Sequence, residues 1–316
     1  MSSPKKITIV VPFLNEKENL PVLLERVAGV FAERTEDWEL LLVDDGSTDG
    51  SAEWAVAQAQ ANRHVRVVRL SRNFGHQLAI TAGLDRSDGD AVVVMDADLQ
   101  DPPETIGPLI DKWREGYEVI YAVRRSRAGE TWSKKFLAAG FYRVFRRLAK
   151  VNIPMDAGDF RLVDRCVVDA LREMRELHRF MRGLTCWVGF RQASVAYDRA
   201  ARFAGETKYP VWKSARLAFD AITSFSASPL RWIAVLGVGI CLLAVLWVLI
   251  VIVQAVVRPD TLQRGWASIV AAIVFLSGIQ LVSIGLLGQY VSRIFEEGKR
   301  RPLYLVRTDT KNEKAV

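Results

Sequence analysis

Residues 91–103 read AVVVMDADLQDPP: an unbroken apolar run, two carboxylates two residues apart, then a pair of prolines. Five apolar residues without polar alternation mark a strand buried on both faces, as in a parallel sheet. The same unit recurs outward from it. Lys6–Phe13 (KITIVVPF), Glu39–Asp44 (ELLLVD) and Val65–Leu70 (VRVVRL) are further buried strands. Helical patterns separate them: one running from Asn15 towards Arg34, Ser51–Ala61, Gly75–Leu84, and Pro103–Trp113 after the last strand. Asn15 with Glu18, and Asp101 with Glu104, have the spacing of capping boxes. Strands alternating with helices predict an α/β fold with a mainly parallel sheet covered on both faces.

In such sheets ligands collect beyond the carboxyl ends of the strands. The polar clusters fall there: Asn15 and Glu16, then Asp44 and Asp45, then Ser71–Asn73, then Asp96–Asp101. Asp96 and Asp98 at a strand end suit a nucleotide with a hard divalent cation, Mg2+ or Mn2+, which wants oxygen ligands and shares substrate phosphates. The acidic turn Asp44–Gly50 means little alone and gains specificity when paired with DADLQ. No GxGxxG or Walker motif supports a Rossmann dinucleotide site or a P-loop.

The chain has 316 residues, 50% of them hydrophobic and 25% charged, which excludes disordered and collagen-like classes. Its three cysteines form no CxxC or Cys/His pattern, against a disulfide framework or structural zinc. The net charge of +7 suits nucleic acid, anionic lipid or a phosphate-bearing substrate until the charges are located. Trp232–Val257 and Gly265–Ser292 are uncharged. Each exceeds the roughly 20 residues that cross a bilayer core, and the short RPDTLQR between them makes a hairpin. Lys299, Arg300, Arg301 and Arg307 follow the second span, so the positive-inside rule puts both termini in the cytoplasm of a multi-pass inner-membrane protein. Nine basic residues lie between Tyr121 and Lys150 against Glu130 alone, interleaved with aromatics. That segment reads as an amphipathic helix on anionic lipid, and no nucleic-acid motif accompanies it. The expected layout is a catalytic domain at 1–210, a juxtamembrane helix at 211–230, spans at about 232–257 and 267–291, and a basic tail at 293–316. Within the tail, Pro302–Arg307 (PLYLVR) is expected to form a strand on a sheet edge, of this chain or of a neighbouring protomer in a homo-oligomer. Residues beyond Arg307 are expected to lack order.

The segments VPFLNE, VDDGSTDGS, LSRNFGHQLAITAGL, MDADLQDPP and GDFRLVDR resemble family 2 glycosyltransferases of the GT-A fold. The likeness is closest to the polyprenyl-phosphate group related to dolichol-phosphate mannose synthase, and it covers nearly the whole chain. It implies inverting, metal-dependent transfer of a sugar from a UDP-sugar to undecaprenyl phosphate at the cytoplasmic leaflet; the two-span layout favours glucose, with amino sugars, uronic acids and aminoarabinose derivatives open. By that resemblance, Pro12, Asn15, Glu16, Asp44 and Asp45 surround the base and ribose, and Arg72 closes the pocket. Asp96 and Asp98 match the DxD element, with Asp98 the direct metal ligand and Gln100 an addition. Arg202 and Lys208 match an R-x-x-G-x-S-K loop that carries Thr207 for serine, and are candidates for phosphate contact together with Arg124 and Arg127. Asp159, beside Arg161, orients the acceptor or a basic residue; a phosphate acceptor needs no general base, and none of the histidines sits in a catalytic-looking setting. Two other readings are a processive polysaccharide synthase, whose QxxRW element is missing, and a non-catalytic nucleotide-binding membrane scaffold.

Overall fold

The computed structural model describes residues 5–125, 157–177, 179–198, 228–257 and 265–313. The chain divides into two units, Met1–Ser214 with Pro302–Val316, and Ala215–Arg301.

The first unit is built on β1 (Lys6–Phe13), α1 (Asn19–Phe31), β2 (Asp37–Asp44), α2 (Ser51–Ala61), β3 (Val65–Leu70), α3 (His76–Arg86) and β4 (Ala91–Val94). A 3-10 turn at Pro103–Thr105 and α4 (Ile106–Arg114) follow. Then come β5 (Val119–Arg124), β6 (Ala157–Asp164), α5 (Arg165–Glu173), α6 (Met181–Trp187) and β7 (Gln192–Tyr197). The strands predicted from their apolar runs are present and parallel: β1 pairs with β2 and β4, and β2 with β3. Ile7, Ile9, Val10 and Val11 of β1 are fully buried, as a central strand between covered faces requires. A Cβ on Gly83 would lie 2.1 Å from Cγ1 of Val10, so α3 sits against β1 at a separation that glycine permits.

With β8 at Val306–Asp309, the eight-stranded order is β7-β5-β6-β4-β1-β2-β3-β8. β6 enters antiparallel between β4 and β5, with Val94 opposite Arg161. This register matters for chemistry. A strand running backwards beside β4 starts where β4 ends, so Asp159 comes up next to Asp96.

Both predicted capping boxes are corrected by the structure. α1 begins after Glu18 without a side-chain cap, because Asn15 adopts φ +58° and accepts a bond from Thr48 N at 2.8 Å instead. Asp101 is buried and bonded to Tyr197, while Glu104 pairs outward with Arg26 at 2.6 Å.

The tail is corrected too. Its strand, β8 (Val306–Asp309), shares only Val306 and Arg307 with the predicted Pro302–Arg307, ends two residues beyond it, and runs antiparallel to β3 of its own sheet. A short helix, Thr310–Glu313, continues it, so order extends past Arg307. Asp309 is buried against Arg66 (3.0 and 2.8 Å), and Thr310 Oγ1 accepts from Val67 N at 3.0 Å. With the edge of β3 filled by the same chain, the tail gives no motive for a neighbouring protomer.

In the second unit the described residues form α7 (Ser228–Val257) and α8 (Trp266–Gly298). Among the described residues, Phe275–Gly298 is long and apolar enough to cross a membrane. α8 extends beyond the predicted residue 291 through Arg293, Glu296 and Glu297. Leu242, Leu243, Trp247, Leu281 and Val282 are all more than half exposed, an apolar surface that water does not favour.

Candidate active site

The loops after β1, β2 and β3 are latched to one another by side-chain to backbone bonds. Asn15 N donates to Ser47 Oγ at 3.0 Å, and Glu16 N to Ser51 Oγ at 3.0 Å. Asp44 is buried, accepting from Ser47 N at 2.8 Å and facing Arg69 Nε at 3.3 Å. Asp45 receives Phe74 N at 2.7 Å and Gly75 N at 2.9 Å, fixing the loop that opens α3. Burial outweighs these bonds and raises the Asp45 carboxyl above its ordinary range. Gly46 has φ +86°, and a Cβ there would stand 2.9 Å from Asn73 N, so the second and third loops touch backbone to backbone. Arg72 lies at the rim with its guanidinium 4.1 Å from the Phe74 ring centre. Pro12 is buried within β1 behind these loops. The predicted nucleotide-side residues Pro12, Asn15, Glu16, Asp44, Asp45 and Arg72 therefore do gather, with the two aspartates turned to holding loops together.

Asp96, Asp98 and Gln100 form the turn after β4. Asp98 Oδ1 accepts from Gln100 N at 3.1 Å, and the intervening Leu99 has φ +57°, a left-handed conformation that costs energy in a branched residue. Gln100 is buried. Oδ1 of Asp96 is buried and makes no hydrogen bond, and burial pushes this carboxyl up to about 6. Among the described residues no group of three or more His, Cys, Asp or Glu is poised around a metal. Two neighbouring carboxylates, one with an orphaned oxygen, fit an ion that draws its other ligands from substrate phosphates and water, as Mg2+ and Mn2+ do.

Asp159 is the most heavily bonded acid at the site. Arg182 grips both its oxygens, Nε and Nη2 each at 3.0 Å, and Arg161 Nη2 reaches it at 3.2 Å. His76 Nε2 stands 3.5 Å from Asp159 Oδ2 and 3.4 Å from Asp96 Oδ1. Burial alone would raise the Asp159 carboxyl, yet the His76 hydrogen bond and the Arg182 charge hold it well below the carboxylate range. The same two acids raise the His76 pKa against the effect of burial. A carboxylate this firmly ionised makes a poor general base at neutral pH. Arg161 is buried, bonded to Gly158 O, Asp159, Met181 O and Thr185, so it braces Asp159 from behind rather than facing a substrate.

Arg124 reaches the end of the acidic turn, its Nη2 3.8 Å from Oδ1 of Asp101. Its Nε donates to Tyr197 Oη at 3.2 Å, and Tyr197 Oη donates to Asp101, tying the ends of β5 and β7 to the acidic turn. Arg127, Arg202, Lys208, the segment 131–150 predicted as a basic helix and residues 211–227 of the predicted juxtamembrane helix lie outside the described residues, while 228–230 already belong to α7.

Sequence reasoning missed His76, Arg182 and Tyr197. The statement that no histidine has a catalytic-looking setting is corrected by His76, which the start of α3 places between Asp96 and Asp159. Its signal was the GHQ that opens the helix after LSRNF. Arg182, in MRGLTCW, carries no sequence signal.

Residues 8–172 match the family model described as glycosyl transferase family 2, and residues 228–294 match the GtrB C-terminal hairpin. An uncharacterized glycosyltransferase of Synechocystis sp. is 46% identical over 301 residues, 95% of this chain and 94% of that one. YkcC of Bacillus subtilis, also an uncharacterized glycosyltransferase, is 45% identical over 306 residues, 97% and 94% of the two chains. The bactoprenol glucosyl transferase of Shigella phage SfV is 38% identical over 309 residues, 98% and 99% of the two chains.

Proposed function

The chain belongs to glycosyl transferase family 2, and from this premise we propose that it moves a sugar, glucose first, from a UDP-sugar to undecaprenyl or another polyprenyl phosphate at the cytoplasmic face of a membrane. The observation that carries the reading is similarity over the full length, catalytic loops and hairpin together, to a bactoprenol glucosyl transferase.

In the proposed reaction an oxygen of the lipid phosphate attacks the anomeric carbon. The bond from that carbon to the β-phosphate oxygen breaks, and its electron pair leaves with UDP. In-line displacement inverts the configuration. The acceptor brings its own nucleophile, since a phosphate monoester with a second pKa near ~6 is largely a dianion at neutral pH. Asp159 is then left to orient rather than to abstract a proton, in keeping with the two arginines and the histidine around it. Asp96 and Asp98 would hold Mg2+ or Mn2+, with Gln100 alongside. Such an ion, when bound, acts as a Lewis acid toward the departing diphosphate. The latched loops after β1 to β3 offer Asn15, Glu16 and Arg72 to the nucleoside, and Arg127, Arg202 and Lys208 are proposed for the phosphates. The apolar α7 and α8 would keep the enzyme beside its lipid acceptor.

The test is incubation of the detergent-purified chain with a panel of UDP-sugars and undecaprenyl phosphate, followed by mass measurement of the lipid. A hexosyl mass increment on the lipid phosphate is the expected result. No lipid product from any donor, with UDP binding intact, would overturn the reading.

A further inference from the structure

Asp159 is where three separate pieces of chain meet. Arg161 comes from its own strand β6, Arg182 from the first turn of α6, and His76 from the first position of α3. The start of α3 is itself fixed, because Gly75 N and Phe74 N both donate to Asp45 in the loop after β2. A continuous set of contacts thus runs from the second loop through His76 to Asp96 and Asp159, and on to Arg182.

The three partners differ in what they can do. Arg161 is buried with five acceptors around it and neutralises Asp159 from below. It serves the fold, and its removal would strand a buried carboxylate. Arg182 is different: about a third of its side chain is exposed (34%), and it meets both carboxylate oxygens side by side. A two-point grip from a planar guanidinium fixes the rotation of the carboxylate as well as its place, which a single ammonium does not. His76 spans the gap between Asp159 and Asp96 at 3.5 and 3.4 Å. Two carboxylates facing one another would move apart without the imidazole between them.

We propose that His76 and Arg182 are positioning residues of the transferase, setting the orientation of Asp159 and its separation from the Asp96–Asp98 turn; this rests on the glycosyltransferase reading above. Neither side chain needs to touch the transferred sugar. Their effect passes through Asp159, so their contributions to the rate share one path. A misplacement of the order of 1 Å in such a site costs roughly 100-fold in rate.

The test is a set of double-mutant cycles on the full-length chain in detergent. Arg182→Gln, Arg182→Lys, His76→Ala and Asp159→Asn are made singly, and Arg182→Gln and His76→Ala are each combined with Asp159→Asn. For every variant, kcat and donor KM are measured with undecaprenyl phosphate, and UDP binding is measured by direct titration. Arg182→Gln and His76→Ala should each lower kcat by about 10–100-fold with donor KM and UDP affinity little changed. Arg182→Lys should recover only part of the loss. In the Asp159→Asn background both substitutions should add almost nothing, because the group they position is already altered. Losses that multiply in that background, or a rise in KM with kcat preserved, would overturn the proposal. Loss of UDP binding in Arg182→Gln and His76→Ala would do the same, showing a disrupted fold in place of a positioning role. An unmodified chain that binds UDP but glycosylates no lipid phosphate would instead overturn the transferase reading on which it stands.

Discussion

Replacing Asp309 with alanine should release the C-terminal strand from the sheet. The Asp309 side chain is 3% exposed and Arg66 8%, and the pair is joined by two bonds of 3.0 and 2.8 Å. Arg86 at 3.3 Å and Lys311 N at 3.1 Å use the same carboxylate. Removing one member of a buried pair costs about 3–5 kcal/mol, because the other charge stays behind uncompensated. Arg66 keeps a bond to Arg86 O at 2.8 Å and the favourable charges of Glu39 and Asp88, so the lower end, about 3 kcal/mol, is expected. That corresponds to a shift of roughly 100-fold in the docking equilibrium of β8. Limited proteolysis of the full-length chain, read at residues 302–313, measures the undocking, and thermal unfolding measures its effect on the unit. A double replacement, Arg66→Met with Asp309→Leu, should restore much of the loss, since apolar residues of similar size tolerate such a position. The pH dependence follows the same pair. The Arg66 hydrogen bond and charge overcome burial and hold the Asp309 carboxyl below its usual 3.8, so its contribution is complete above about pH 4 and is lost as the pH falls further. A cost below about 1 kcal/mol for Asp309→Ala, or a double variant no better than the single, would refute a buried pair that anchors the tail.

Asp98→Asn should abolish sugar transfer while the chain still folds and inserts, and chelation of divalent cations should mimic it in the unmodified enzyme; full transfer in excess EDTA would be the contrary result. Gly83→Ala should destabilise the first unit by about 1–3 kcal/mol in thermal unfolding, because the new methyl meets Cγ1 of Val10 at 2.1 Å and α3 must lift from β1. Replacing Lys134, Lys135, Arg143 and Arg147 together with glutamine should raise the KM for lipid acceptor far more than for nucleotide sugar, since each cation near an anionic surface contributes about 1 kcal/mol; equal losses in both would indicate misfolding.

The central sheet was legible because burial on both faces leaves a direct trace: β1, β2 and β4 carry long apolar runs, and β3 is apolar apart from Arg66 and Arg69. The Asp96–Asp98 turn was legible for the same reason, as charge placed abruptly at the end of such a run. What failed were the inferences from spacing within loops. Asn15 and Glu18 have capping-box spacing, but Thr48 N from another loop lies within reach of Asn15, and a neighbour distant in sequence won. Asp101 likewise answers to Tyr197, 96 residues away. The cluster around Asp159 was half visible: the GDFR segment indicated the acid and its arginine, but the antiparallel register that sets it beside Asp96, and the arrival of His76 and Arg182, depend on packing between elements. The tail was read rightly as holding a strand that seeks an edge, but the strand forms at Val306–Asp309 and the β-prone Leu303–Leu305 lie before it. Which edge it finds is decided by Arg66, a buried cation inside β3 that requires an acid partner.

Since the chain leaves the first unit at Ser214 and re-enters it at Pro302, the apolar hairpin is, in genetic terms, an insertion within a domain. A ribosome making this protein finishes both hairpin helices before the last strand of the sheet exists. Until then β3 is a bare edge, with Arg66 lacking Asp309 and Val67 N lacking Thr310. Cutting the gene at codon 214 to obtain a soluble enzyme would make that interim state permanent and invite edge-to-edge aggregation. The better soluble version is a spliced one, in which a short flexible linker replaces residues 215–301 and the final strand is kept.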